Sequence, residues 1–146
     1  MDNKYSYAYL GLAVIMVLLF IQFIIGIFIN LYVSFPPLNS ISHIAPAAFP
    51  SNYITVMFHM MLGFLILIVS FIMLLLSIKI QNSKLVLSSG ISFIFVIIAG
   101  VSGFLFLFNE YNLYSLIMAV SFIIIVMSEF YYLYTLKLIT VSSSKN

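Results

Sequence analysis

Four long apolar runs, broken by three polar intervals, organise the chain. They cover about residues 7–35, 53–78, 85–108 and 113–138. At 1.5 Å of rise per residue, roughly 20 apolar residues in helix cross the hydrocarbon core of a bilayer, and each run reaches that length. β-branched residues are plentiful in all four, but none shows the polar–apolar alternation of a barrel strand. In lipid a backbone must satisfy its own hydrogen bonds, and a helix does so within one segment. The pattern predicts a single all-α domain over residues 1–146. Its architecture is a polytopic membrane four-helix bundle, running up-down-up-down.

The intervals differ. Lys79 to Lys84 and Asn109 to Asn112 are tight polar turns, which make their flanking spans antiparallel neighbours. The outer loop, 36–52, is longer and carries all four prolines, Pro36, Pro37, Pro46 and Pro50, which favour turns over helix. Its apolar residues, Ile41, Ile44 and Phe49 among them, suit a segment lying on the membrane surface or over the bundle mouth. The first apolar run is too long for a cleaved signal peptide, and Ala45-Pro46-Ala47 lies well past its end. The tail from Ser142 to Asn146 reads as a frayed polar end.

Charge then orients the spans. Lys4 precedes the first run, Lys79 and Lys84 sit between the second and third, and Lys137 and Lys145 follow the fourth. The other two loops contain neither Lys nor Arg. Lysine and arginine are retained on the cytoplasmic side, so both termini are expected in the cytoplasm of a multi-pass plasma-membrane protein. Tyrosines mark the span edges as an aromatic belt: Tyr5, Tyr7, Tyr9 and Tyr32, then Tyr53, Tyr111 and Tyr114, then Tyr131, Tyr132 and Tyr134.

Composition narrows the chemistry. The chain is 65% hydrophobic and 5% charged, against about 25% charged in a soluble domain, so the lipid bilayer is its main partner. A formal charge of +2 with no basic run gives no footing for nucleic acid. The lack of cysteine removes disulfides, thiolate metal sites and Cys nucleophiles. The lack of both cysteine and arginine leans towards a prokaryotic source.

Candidate function rests on the few polar residues at depth: Gln22, Asn30, His59 and Glu129. Glu129 lies about two turns inside the cytoplasmic end of the fourth span. A carboxylate there must face the bundle, pair, or take up a proton. One reading is a proton- or cation-handling site; the other is a glutamate close enough to the cytoplasmic interface to be hydrated or to meet Lys79, Lys137 or a tyrosine hydroxyl. His59, about seven residues into the second span, should share a depth with Asn30 and hydrogen-bond it across the helices. Its alternative role is axial ligand of a haem b, with Met118 as the second ligand on the fourth span. His43 is a loop histidine and Glu110 is isolated, so no metal site is expected. Gly63 and Ser70, then Ser92, Gly100, Ser102 and Gly103, then Ser115 and Ala119, provide small residues for close helix packing. Aligning Lys79 with Lys137 sets Met60 against Met118 and Phe64 against Phe122, a faint internal duplication short of an established repeat.

The run His59-Met60-Met61-Leu62-Gly63, with Gly100 and Gly103, resembles one half of the haem A synthase family. The resemblance implies a four-helix bundle with a second-span histidine facing a fourth-span histidine across a haem. At that fourth-span position this chain has Ile117, so the resemblance carries one ligand only, His59. Asn30-Leu31-Tyr32-Val33 with the prolines that follow, and the last span ending at Lys137, look like small uncharacterised four-span prokaryotic membrane proteins. Three functions stay open. The first is a non-enzymatic protein or accessory subunit of a membrane complex, alone or as a homo-oligomer. The second is a b-type haem protein using His59. The third is a small proton- or cation-coupled carrier using Glu129.

Overall fold

A computed structural model describes residues 3–32, 51–109 and 111–143. The outer loop up to residue 50, with His43, lies outside the described residues, as do Glu110 and the tail beyond residue 143. Four helices account for nearly everything described: α1 Asn3–Tyr32, α2 Ser51–Ile80, α3 Ser83–Asn109 and α4 Asn112–Ser143. All four are long and apolar enough to cross a membrane. This is the profile of a multi-pass integral membrane protein, and the all-α four-helix bundle is as expected.

The helices outrun the apolar segments that announced them. α1 starts at Asn3 rather than Tyr7, and α4 continues to Ser143 rather than stopping at Leu138. Ser142 is therefore helical, not frayed. Hydropathy marks where lipid ends, whereas a helix ends where its hydrogen bonds do. In α4 the last turns are supported by side-chain hydroxyls: Thr140 donates to the Leu136 and Lys137 carbonyls, and Ser142 to that of Ile139. Between α2 and α3 the chain reverses in two residues. Gln81 takes the left-handed conformation at φ 61°, and Asn82 caps α3 by accepting the N–H groups of Lys84 and Leu85 at 3.1 and 3.3 Å.

α1 packs on α2, α2 on α3, α3 on α4, and α4 closes the ring against α1. Each helix buries one narrow stripe. On α1 it is Ala8, Leu12, Ile15 and Leu19, at steps of four, three and four that keep one face turned inward. The rest of the apolar surface faces out: Leu10, Phe20 and Phe64 are each more than 60% exposed. The interior, by contrast, holds Ser70, Ser77, Ser88, Ser92, Ser102, Ser121, Glu129 and Thr135. An apolar exterior around a partly polar core is stable only in an apolar solvent. Lys4, Lys79, Lys84 and Lys137 fall at the same end of the bundle, where Tyr9 of α1 meets Thr140 of α4.

Small residues set two helix contacts and miss a third. A Cβ on Gly11 would stand 2.5 Å from the Met73 sulfur, and one on Gly103 would stand 3.5 Å from the Met118 sulfur. Gly100, expected to pack, is exposed with open space above it, and Ala119 is exposed too. Gly11→Ala is expected to destabilise the bundle by about 1 kcal/mol, the low end for overpacking because the methionine can shift. Thermal unfolding in detergent would show it, and in a Met73→Ala background, itself destabilised by about 2–5 kcal/mol, Gly11→Ala should cost nothing further.

Candidate functional site: a buried carboxylate in a seam of hydroxyls

α3 and α4 meet along a line of small and polar side chains. Ser88 and Ser92, four residues apart on α3, occupy one face; Glu129, Tyr132 and Thr135, three apart on α4, occupy another. Glu129 is only 3% exposed and sits near the middle of the 32-residue α4. The turns beyond Leu138 lengthen α4 without changing the roughly two turns between Glu129 and the end of the apolar run. Its Oε1 accepts a hydrogen bond from Ser92 Oγ at 2.6 Å. Neither Lys79 nor Lys137 pairs with it; both are exposed at the bundle end. The expected lysine contact is therefore absent, because the depth of the carboxylate exceeds the reach of those side chains.

A second polar contact lies one turn nearer the lysine end. Ser77 of α2 donates to the Met73 carbonyl at 2.7 Å and lies 3.2 Å from the Tyr132 hydroxyl. Tyr132 is wholly buried, while Tyr131 and Tyr134 are exposed. Of the three belt tyrosines expected at this end of the fourth span, Tyr132 belongs to the core instead. It falls in phase with Glu129 along α4, and its neighbours do not. Two further hydroxyls, Ser70 Oγ and Ser88 Oγ, are buried with no partner.

Towards the opposite end, Gln22 Nε2 lies 3.2 Å from His59 Nε2. An amide nitrogen only donates, so the imidazole accepts at Nε2 and carries its proton on Nδ1. That leaves His59 Nδ1 and Gln22 Oε1 buried without partners. The anticipated Asn30–His59 pair does not form. Asn30 is exposed, and α1 turns Gln22 and Gly26 towards α2, with a Cβ on Gly26 standing 3.4 Å from the imidazole. His59 and Met118 keep different company: His59 rests on Gln22 and Gly26 of α1, Met118 on Gly103 of α3. Among the described residues, no three His, Asp or Glu side chains gather as metal ligands would.

Interhelical hydrogen bonds in membranes average about 0.6 kcal/mol and reach roughly 1.7. Gln22→Leu and His59→Leu should each cost that order of free energy, since each strands the other's polar group. The double variant should recover most of it, giving a coupling of about 1 kcal/mol in a double-mutant cycle. Strict additivity in thermal unfolding would show that the contact contributes nothing.

The sequence picks out Glu129 but not its surroundings: Ser92 reads as a packing residue, and Ser77 and Ser88 do not stand out in the apolar pattern. The available signal was phase: Ser88 and Ser92 follow Leu85 on the stripe that buries Val96, as Ser70 and Ser77 flank Met73. No family model, curated protein or solved structure matches this chain.

Proposed function

We propose that this protein is a small carrier of the plasma membrane, with both termini in the cytoplasm, in which Glu129 binds and releases a proton or a small monovalent cation. The observation that supports it is a carboxylate 3% exposed, held by one serine and by no cationic side chain among the described residues. An ionisable residue inside a membrane span, facing the bundle and without a charged partner, is by default a candidate functional group. A single negative charge among neutral hydroxyls also suits a single positive charge, and the seam offers no second carboxylate for a divalent ion.

The test is flux into liposomes, driven by a proton or sodium gradient, compared between the parent and Glu129→Gln. Flux that depends on the carboxylate supports the reading, and the gradient that drives it names the ion. Equal flux in the two proteins overturns it.

A second reading, a subunit of a larger membrane assembly, draws on Gly100. This glycine faces outward with open space above it, and small residues on lipid-facing surfaces let another helix approach closely. Stoichiometric co-purification of a partner from native membranes, lost on Gly100→Leu, would favour it.

A further inference from the structure

Between α4 and the α2–α3 turn lies a cleft of about 200 Å³, lined by Asn82, Lys84, Tyr131, Tyr134 and Thr135 among others. Two of its lining residues lead inward. Lys84 stands one helical turn before Ser88, which stands one turn before Ser92. Thr135, buried at the inner wall, stands one turn after Tyr132, which stands one turn after Glu129. The two series converge on the Ser92–Glu129 hydrogen bond. Ser77 and Ser89 settle their hydroxyls on carbonyls of the preceding turn; Ser70 and Ser88 do not, and stay buried and unpartnered. Buried polar atoms without a protein partner are places for ordered water.

The other direction is closed. One turn beyond Ser92 and Glu129, away from the cleft, stand Val96 and Ile125, both buried. They belong to the one buried cluster to which all four helices contribute, and which also extends towards the cleft through Ile80, Leu85, Tyr132 and Leu136. Further from the cleft, Phe23 stacks on Phe122 with ring centroids 5.0 Å apart. An apolar constriction of this kind resists hydration.

We propose that water reaches Glu129 from one end of the bundle only, through the cleft beside the Gln81 turn and along Thr135, Tyr132 and Ser88, and that the Val96–Ile125 layer seals the carboxylate from the other end. The proposal deepens, and rests on, the reading of Glu129 as the exchanging group: it gives that exchange a side. The titratable groups around the route are Tyr132 on the face of α4, Lys84, Tyr131 and Tyr134 at the cleft, and Tyr5 and Tyr9 of α1, which pack against the core.

The chain has no cysteine, so one introduced thiol is the only thiol present. Ser88→Cys and Thr135→Cys probe the route, and Ser121→Cys probes the far side of the apolar layer. Ser142→Cys and Asn112→Cys mark the two bundle ends. Proteoliposomes of each variant are treated, from one side and then the other, with a charged, membrane-impermeant methanethiosulfonate. The Ser88→Cys and Thr135→Cys variants should react from the side that modifies Ser142→Cys, an order of magnitude faster than Ser121→Cys. Rates no faster than that of Ser121→Cys, or modification from the Asn112 side, overturn the route. Sided labelling without Glu129-dependent flux would uphold the water route and overturn only the transport reading. Flux without such labelling would do the reverse.

Discussion

A Glu129→Leu variant should unfold at a higher temperature than the parent and carry no ion. The carboxylate is desolvated in the bundle interior, and the single hydrogen bond from Ser92 offsets that only in part. Leucine removes the penalty and buries further apolar surface. The stranded Ser92 hydroxyl can turn to the carbonyl one turn back, as Ser77 and Ser89 already do. The net gain should be about 1–3 kcal/mol, the penalty of an under-satisfied buried polar group. Glu129→Gln separates the two effects. Its amide oxygen still accepts from Ser92 and it carries no charge, so stability should be at or above that of the parent, while the exchangeable charge is gone. Thermal unfolding in detergent and gradient-driven flux in liposomes read the two properties independently. A structural glutamate predicts the opposite pair of results: Leu destabilised, and Gln transporting as before. Stability gained where activity is lost is the usual mark of a functional polar group in a core.

The limits of sequence reading follow from the solvent. Lipid demands long uniform runs, so the number, order and antiparallel sense of the helices stand out in the apolar pattern, and the placement of Lys79, Lys84 and Lys137 picks out one end of the bundle. Which way each residue turns is much fainter. A helix surrounded by lipid is apolar on every side, so the contrast between its inner and outer faces is weak, and an expected partner can be right in depth and wrong in direction. Asn30 is such a case: it was matched to His59 by height, yet it turns outward while Gln22 turns in. Tyr132 is another, read with Tyr131 and Tyr134 by position along the chain, although only Tyr132 falls in phase with Glu129. Serine carries the same ambiguity. As a small residue it packs helices, as a hydroxyl it holds a carboxylate, and only the partner across the interface decides. Ser92 and Ser88 differ in that respect: one donates to Glu129 and the hydroxyl of the other finds no hydrogen-bond partner.

Breaching the apolar layer should have the largest effect on function. Ile125 is buried one turn from Glu129, on the side away from the cleft, and packs in one cluster with Ile15, Leu19, Ile66 and Val96. Ile125→Ser removes three heavy atoms from that layer and adds a hydroxyl. The hydroxyl can settle on the carbonyl one turn back, as those of Ser77 and Ser89 do, and still accept a hydrogen bond from water in the space the three carbons leave. Hydrating the layer should therefore become easier by about 1 kcal/mol, the net worth of one such bond, which corresponds to a rise of roughly fivefold in the rate of crossing. The expected result is a passive proton or cation leak in liposomes, present without any coupled gradient and absent from the parent. Because the leak would pass through the carboxylate, adding Glu129→Leu should abolish it. The Ser121→Cys thiol, unreactive from the cleft side in the parent, should become reactive from that side when Ile125→Ser is combined with it. A tight Ile125→Ser protein would place the barrier elsewhere, with the Phe23–Phe122 stack the next apolar constriction along the same axis. A leak that survives Glu129→Leu would mean that ions cross without using the carboxylate, which would break the link between the closed end of the bundle and the exchange assigned to Glu129.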